Sequence, residues 1–421
     1  MVITGRRAYC LIPGEDGHTA PFPPRTPPCY SRPMQAADPG ELGFDPERLA
    51  RVTAVIDADI AAERYDGAAI CVTRHGQVAL RTHRGFADRA SGRRLADDAV
   101  FVTMSSGKQF TSAIVLNRIE RGDLRLMMPV TELIPEFAGR GKDRMTLFHL
   151  LTHTSGIVSR VPELAPDELA RIERLVAWAC TTGPESVPGE RVTYSIAVAH
   201  AVMAEMVRRA EGSRRSFARI LEEDLFRPLG MKDTSLGPRD DLSRRLCPVV
   251  ARFTEPGLFA PQEISGIGLL ITLPGAEIPA GGYLTTIDDL ARFAEMLRRG
   301  GELDGHRILS PAMIDLATRN HTGDRPNSLL DYTIQLRGWA PFPASIGLGF
   351  FVRGEGIIPG PFGNLSSPRT FGGLGAGSTG FWVDPVRDVT FSFLSTGLME
   401  DSHHVERLSR LSDIVVAALV A

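Results

Sequence analysis

The spacing of apolar positions changes along the chain, and each change marks a different kind of element. Two short apolar runs, Ala68–Thr73 and Val78–Thr82, flank His75-Gly76 and predict a β-hairpin. In the middle of the chain, apolar side chains recur every three or four residues, which is typical of amphipathic helices. The helices predicted there are Ser112–Glu120, Ala197–Arg209 and Phe217–Phe226.

Polar and turn-forming residues bound further helices. Asp45 followed by Pro46 predicts the start of a first helix, since aspartate caps helix N-termini and proline fits the first turn. A second helix is predicted over residues 286–297, ended by Gly300-Gly301, and a last one over about 405–420. Short strand-like runs precede that last helix, at Leu348–Val352, Gly380–Val383 and Val389–Leu394.

Strands at both ends and helices between them predict an α/β (α+β) fold, with one antiparallel sheet built from both termini and a helical lobe inserted into it. The predicted sheet lobe comprises residues 41–104 and 265–421, and the mainly helical lobe comprises residues 105–264. Residues 1–40, rich in proline and glycine, are predicted to form an extended arm.

Composition and charge exclude several function classes. The formal net charge of −3 indicates neither a nucleic-acid partner nor an anionic membrane surface. No stretch of about 18 apolar residues occurs, and the N-terminus lacks the apolar segment of a secretory signal, so we predict a cytoplasmic protein. The sequence leaves the oligomeric state open.

The cysteines do not form a recognisable framework. They are odd in number and widely separated, without CxxC or Cys/His spacing, which argues against a disulfide scaffold or a zinc site. They are Cys10, Cys29, Cys71, Cys180 and Cys247.

A candidate nucleophile lies where an apolar segment that begins at Phe101 ends and a predicted helix starts. Ser105 begins this helix and Lys108 follows three residues later, so the two side chains share a face of the first turn. A serine hydroxyl becomes a nucleophile when a neighbouring base takes its proton, and a lysine is such a base only when its environment keeps it neutral. Taken alone, the pair is also compatible with an N-cap serine beside an exposed lysine.

Further motifs in the same order support the catalytic interpretation. With them, the sequence resembles the serine β-lactamase and penicillin-binding-protein superfamily, and more closely the class C β-lactamase-like (family VIII-type) esterases and transesterases. The resemblance covers roughly residues 42–415 and implies the β-lactamase-like fold. The segments that carry it are Ser105–Thr111, Leu150–Ile157, Pro188–Ser195, Arg227–Thr234 and Pro279–Thr286.

The resemblance implies roles for two residues of the second motif. Tyr194 matches the family's tyrosine, which as phenol or phenolate would relay a proton between Ser105, Lys108 and the leaving group. β-Lactamases carry an asparagine two residues later, where this chain has Ile196. An isoleucine side chain forms no hydrogen bond, so the amide clamp is missing and Ile196 is expected to contact substrate as an apolar surface.

The third motif admits two alignments. Phe371-Gly372-Gly373 resembles the family's Trp-Gly-Gly form, and in this register Phe371, Gly372 and Gly373 face the substrate. The backbone N–H groups of Ser105 and Leu374 would then form the oxyanion hole. The alternative register is Gly373-Leu374-Gly375. Neither register supplies the lysine or histidine that binds a substrate carboxylate.

Other aromatic residues and histidines have weaker functional signals. Tyr332 and Trp339 precede the third motif and could line the substrate pocket. His153 belongs to the family's structural His-Thr-Ser-Gly turn, and His200 lies among apolar residues of a predicted helix. A metal site at His403-His404 is disfavoured.

Three functional hypotheses follow. The first is acyl transfer through a serine ester, with a small ester as acyl donor, water or another alcohol or amine as acceptor, and no metal or organic cofactor. The second is a β-lactamase or D-aminopeptidase-like amide hydrolase, against which Ile196 and the missing third-motif cation argue. The third is a non-catalytic, ligand-binding pseudoenzyme, which the presence of Ser105, Lys108 and Tyr194 disfavours.

Overall fold

The computed structural model describes residues 34–329 and 331–420, so most of the predicted N-terminal arm lies outside the described residues. The strands are β1 (Gly67–Arg74), β2 (Gln77–Asp88), β3 (Arg93–Arg94), β4 (Phe101–Val102), β5 (Ser235–Leu236), β6 (Tyr283–Thr285), β7 (Glu302–Leu303), β8 (His306–Arg307), β9 (Phe351–Val352), β10 (Phe371–Gly375), β11 (Thr379–Asp384) and β12 (Val389–Thr396).

The helices are α1 (Pro46–Ala61), α2 (Lys108–Glu120), α3 (Val130–Leu133), α4 (Leu147–Leu151), α5 (Pro166–Leu169), α6 (Ile172–Thr181), α7 (Val198–Ala210), α8 (Phe217–Leu221), α9 (Asp240–Ser243), α10 (Pro261–Ile271), α11 (Ile287–Arg298), α12 (Pro311–Ala317), α13 (Asp331–Arg337) and α14 (Asp401–Ala417). Side chains cap several of them, and Asp45 accepts hydrogen bonds from the first turn of α1 as predicted.

Within the described residues, seven strands form the main sheet in the order β3-β2-β1-β12-β11-β10-β9. Every neighbouring pair is antiparallel. Strand β1, near the start of the described chain, pairs with β12, near its end, and Ile70 lies opposite Phe393. This confirms the predicted hairpin and the prediction that both ends of the chain build one antiparallel sheet.

Helices cover both faces of the sheet, and successive residues of β1 therefore enter different cores. Ala69 and Cys71 pack on the face covered by α2 and α11. Ile70 and Val72 pack on the opposite face, against α1 and α14. Because both faces are buried, β1 is apolar almost throughout and lacks the alternation of a half-exposed strand.

A small second sheet, β4-β6-β5, fixes the chain just before Ser105. Val102 of β4 pairs with Leu284 of β6, and the N–H of Thr103 donates to the carbonyl of Tyr283 over 2.9 Å. These strands are two or three residues long, too short to produce a periodic signal, and the sequence did not predict them.

Some predicted boundaries were wrong. The strand predicted at Leu348–Val352 is reduced to β9. The helix predicted over Phe217–Phe226 keeps its predicted bounds, but α8 covers only its first half and a π-helical turn, Glu222–Phe226, the second. The last helix begins at Asp401, because the Glu400 side chain accepts backbone N–H groups of its first turn. The division into two lobes at residues 105 and 264 stays a prediction.

Candidate active site

Ser105 lies in a tight 3-10 turn, Met104–Gly107, that joins β4 to α2. Met104 has φ +50°, a left-handed conformation that costs a non-glycine residue free energy and persists only where its surroundings impose it. Ser106 Oγ donates to the Thr103 carbonyl over 2.8 Å and lies 2.9 Å from Thr379 Oγ1 of β11. The turn is thus anchored to the main sheet, and Ser105 remains partly exposed among buried neighbours.

Lys108 is buried beside Ser105, with 2% of the residue exposed. Its Nζ lies 3.0 Å from Ser105 Oγ, 2.9 Å from the Ile196 carbonyl oxygen and 2.7 Å from the Ala280 carbonyl oxygen. Burial lowers the pKa of Lys108 from 10.5 to about 7, because the charged form loses its hydration. The exposed lysine of the alternative interpretation is therefore excluded.

Tyr194 contacts the same serine. Its hydroxyl hydrogen-bonds to Ser105, and its ring centroid lies 5.0 Å from Lys108 Nζ. Burial raises the pKa of Tyr194 well above its ordinary value of 10, and the bond to Ser105 offsets this only in part. Of the two states considered from the sequence, the phenol is therefore the one present at neutral pH.

His153 lies behind Tyr194, with ring centroids 4.6 Å apart, and His200 lies 5.6 Å further on. Burial, reinforced by the nearby Lys108, lowers the pKa of His153 to about 3. The pKa of His200 falls well below 6.5, with burial as the main cause. Both histidines are neutral at physiological pH and pack around the tyrosine, so the geometry favours the structural role expected for His153.

Ser105 opens into a cavity of about 630 Å³, a volume that includes space at its mouth. Ile196 and Ala280, whose carbonyls bind Lys108, also line it. The remaining lining is almost entirely aliphatic or aromatic: Met104, Val161, Leu169, Ala197, Phe259, Ile267, Leu270, Ile271, Ile278, Gly281 and Ala376. Among the described residues that line this cavity, none carries a charged side chain.

Of the two registers of the third motif, the alternative one, Gly373-Leu374-Gly375, brings a residue next to the turn that carries Ser105. A Cβ on Gly375 would lie 2.4 Å from the Thr103 carbonyl oxygen and 3.0 Å from the Ser106 nitrogen, so a glycine is required where β10 crosses the nucleophile turn. The following residue, Ala376, lines the Ser105 cavity. Leu374 instead lines a separate apolar cavity with Phe351 and Val405. The oxyanion role expected for the Leu374 N–H stays a prediction, and Ala376 is the residue after the third motif that lines the Ser105 cavity.

The other residues of the first register also lie away from the Ser105 cavity. Phe371 is buried in the core, with its ring 5.6 Å from that of Phe350 in an edge-on contact. Gly372 packs on the backbone of β11, and Gly373 faces the side chain of Gln109. None of the three is among the residues that line the Ser105 cavity, which favours a structural role, and their contact with substrate stays a prediction.

Tyr332 and Trp339 are likewise not among the residues that line the Ser105 cavity. The Tyr332 hydroxyl donates to a Glu400 carboxylate oxygen over 3.2 Å. Trp339 lines the cavity that contains Leu374, where it follows α13. The expectation that they contact substrate rested on their position in the chain and stays a prediction, while α13 itself packs on α14.

Sequence reasoning missed the apolar wall of the cavity. Phe259 and three residues of α10 (Ile267, Leu270 and Ile271) supply much of it. The signal was present as the apolar run 264–273, but Gly266 and Gly268 interrupt it and lower the helix propensity.

The described residues show no cluster of three or more His, Cys, Asp or Glu side chains arranged to hold a metal ion. His403 lies 3.0 Å from an Arg337 nitrogen, and His404 bonds to the Thr379 carbonyl. Among the described helices, none is both long and apolar enough to cross a membrane.

Comparisons with known proteins agree with this geometry. Residues 52–413 match the sequence model of the family described as beta-lactamase. The chain is 34% identical to Esterase EstB of Burkholderia gladioli over 218 residues, which are 47% of this chain and about half (54%) of the length of that esterase. It is 25% identical to Esterase/beta-lactamase LipL of Mycobacterium tuberculosis over 401 residues, covering 89% of this chain and 85% of LipL.

A solved structure shows the same architecture over nearly the whole chain. The crystal structure of a penicillin-binding protein homolog from Caulobacter crescentus superimposes with a TM-score of 0.71 at 26% identity. The superposition covers 90% of this chain and 99% of that one.

Proposed function

Because the chain belongs to the beta-lactamase family, we propose that it is a serine hydrolase or acyltransferase that forms an acyl-enzyme on Ser105. The contact between Lys108 Nζ and Ser105 Oγ, 3.0 Å long and buried, carries this proposal. A lysine with a pKa of about 7 is neutral in a large fraction of molecules at neutral pH, so it can accept the serine proton.

The surroundings of Lys108 suit a neutral amine. Such an amine has two N–H donors and one lone pair. The carbonyls of Ile196 and Ala280 are acceptors and take the two donors, which leaves the lone pair for the Ser105 hydroxyl. The Tyr194 phenol hydrogen-bonds to the same Ser105 and, once the serine proton points to Lys108, can donate to Ser105 Oγ. This arrangement prepares Ser105 to lose its proton to Lys108.

The proposed reaction proceeds in two halves. Ser105 Oγ bonds to the ester carbonyl carbon as its proton passes to Lys108, and the N–H groups of Ser105 and Ala376 stabilise the oxyanion. The bond from carbon to the leaving oxygen then breaks, and this oxygen takes a proton from Tyr194, which Lys108 resupplies. Water, a second alcohol or an amine next attacks the acyl-enzyme. Its proton passes through Tyr194 and Lys108 to Ser105 Oγ as the bond from this oxygen to the acyl carbon breaks.

The apolar cavity supports an ester with an apolar acyl group as substrate. Its described lining offers no charged group to recognise the carboxylate of a β-lactam or of a peptide terminus. Ile196 cannot donate a hydrogen bond to an amide side chain. Both features favour ester chemistry over the amide-hydrolase alternative.

Initial rates with p-nitrophenyl butyrate and with nitrocefin, measured for wild type and Ser105→Ala, test the proposal. We expect butyrate turnover that depends on Ser105, and nitrocefin hydrolysis no faster than that of Ser105→Ala. Nitrocefin turnover far above that of the variant would replace the ester proposal by the β-lactamase alternative. Addition of 1-butanol then distinguishes transfer, which yields butyl butyrate, from hydrolysis.

Acyl-chain selectivity should change when the cavity is narrowed. Ile267→Phe adds bulk to a residue of α10 that lines the cavity. We expect the ratio of kcat/KM for p-nitrophenyl octanoate to that for the acetate to fall about tenfold, since steric exclusion acts on the longer chain. Both rates are read from nitrophenol release.

Leu269→Phe is the matched control, because Leu269 lies on the same helix but is 71% exposed. Its octanoate-to-acetate ratio should equal that of wild type. Equal ratios for Ile267→Phe and Leu269→Phe would show that the acyl chain does not enter this cavity.

A further inference from the structure

We propose that Asp401 is a positioning residue that holds the oxyanion-binding N–H of Ala376 in place, an inference that rests on the proposed function of Ser105. Asp401 is the first residue of α14, and its Oδ1 accepts the N–H of Gly377 over 2.9 Å. Gly377 directly follows Ala376 in the turn between β10 and β11. Asp401 therefore acts on the peptide adjoining the proposed donor.

This turn needs an external support. Ala376 stands between Gly375 and Gly377, and glycine has more backbone freedom than any other residue. Gly377 has φ +61°, and a Cβ there would lie 2.3 Å from the Met399 carbonyl oxygen, so the position requires glycine. The residues that permit this close approach therefore do little to fix the direction of the Ala376 N–H.

Two hydrogen bonds fix the peptide plane between Ala376 and Gly377 from its opposite sides. Ser378 Oγ donates to the Ala376 carbonyl over 3.0 Å, and Asp401 accepts the Gly377 N–H. Without Asp401 the plane keeps one side-chain contact and can rotate about the flanking Cα atoms. Rotation of this plane changes the backbone angles of Ala376 and thereby the direction of its own N–H.

The next peptide is held from the same helix. Arg407 Nη2 donates to the Gly377 carbonyl over 3.2 Å and to His404 Nδ1 over 2.7 Å. Since arginine is always a donor, His404 carries its proton on Nε2, which donates to the Thr379 carbonyl over 2.9 Å. Thr379 Oγ1 contacts Ser106 next to the nucleophile. Helix α14 therefore contacts both the turn that contains Ala376 and, through Thr379, the turn that contains Ser105. Among these contacts of α14, that of Asp401 is the nearest to Ala376 along the chain.

The experiment compares Asp401→Ala with Asp401→Asn, which keeps an oxygen acceptor for the Gly377 N–H. Asp413→Ala is the matched control, because Asp413 lies on α14 and its Oδ1 accepts the N–H groups of Asn364 (2.7 Å) and Leu365 (2.8 Å). Measurements are kcat and KM for p-nitrophenyl butyrate, thermal midpoint, and deuterium uptake by the segment 374–379. Asp401→Leu replaces the alanine variant if that variant does not fold.

We expect kcat of Asp401→Ala to fall by about 10- to 30-fold, less than the loss of an entire oxyanion donor, with KM within about twofold of wild type. Asp401→Asn should retain kcat within about threefold, and Asp413→Ala within about twofold, even where the thermal midpoint falls. Uptake over 374–379 should rise in Asp401→Ala and not in Asp413→Ala.

Equal kcat values for Asp401→Ala and Asp413→Ala would overturn the inference, as would an Asp401→Asn variant as slow as the alanine variant. If wild type shows no turnover that depends on Ser105, the proposed function fails instead. Deuterium uptake then tests by itself whether Asp401 holds the turn that contains Ala376, and unchanged uptake in Asp401→Ala would refute this.

Discussion

Lys108→Met is expected to lower kcat/KM for p-nitrophenyl butyrate by about 10³-fold, within the range by which general bases accelerate reactions. Methionine fills a similar volume but has no basic nitrogen, so the Ser105 proton has no acceptor.

In wild type, kcat/KM should rise with pH toward a plateau above about 7, since Lys108 accepts a proton only when neutral and burial lowers its pKa to that value. Stopped-assay rates between pH 5 and 9 measure both effects.

Lys142→Met is the control for loss of a buried lysine. Lys142 is also 2% exposed, its ammonium binds the carbonyls of Ala179 and Cys180, and it lies 4.4 Å from the ring centroid of Phe137. It contacts no residue of the Ser105 site in these bonds. We expect this variant to retain kcat/KM and its pH profile. Equal losses in the two variants would show that Lys108 acts through stability and not as the base.

Tyr194→Phe is expected to lower kcat by about 10²-fold, because the leaving oxygen loses its proton donor and Ser105 loses a hydrogen bond. The loss should be largest for esters with poorly departing alcohols, such as ethyl butyrate, and smaller for p-nitrophenyl esters, whose leaving group needs little protonation. Parallel assays of the two esters measure this difference.

Tyr283→Phe provides the comparison, since the Tyr283 hydroxyl is also buried but its hydrogen-bond partner is Thr111 Oγ1. It should keep kcat within about threefold, because the lost hydrogen bond to Thr111 contributes about 1 kcal/mol to folding stability and supplies no proton to the reaction. A Tyr194→Phe enzyme that is as active as Tyr283→Phe on ethyl butyrate would exclude Tyr194 as the proton relay.

The sequence predicted the parts of the site that depend on local geometry. The spacing of Ser105 and Lys108 places both on one helical turn, and their contact follows from that spacing. Patterning also predicted one sheet from both ends of the chain, which the pairing of β1 with β12 confirms. The burial of Lys108, which sets its pKa, came from the long-range contacts to Ile196 and Ala280.

Tertiary packing decided what the sequence left open or predicted wrongly. The segment 371–375 contains three glycines and fits either register of the third motif, and the close approach of Gly375 to Thr103 favours the second of them. Trp339 is near the third motif in sequence, yet it lines another cavity. Distances of this kind depend on how whole elements dock, and no local pattern contains that information.

Intact-mass spectrometry during turnover tests the central claim most directly. Wild type and Ser105→Ala are mixed with p-nitrophenyl acetate or butyrate, quenched in acid within the first turnovers and weighed while nitrophenol release is followed. The account predicts an acetyl or butyryl adduct on wild type alone, located at Ser105 by peptide mapping and lost as substrate is exhausted. Identical behaviour of the two proteins, with neither adduct nor turnover, or an adduct at another residue that forms at the rate of turnover, would contradict it.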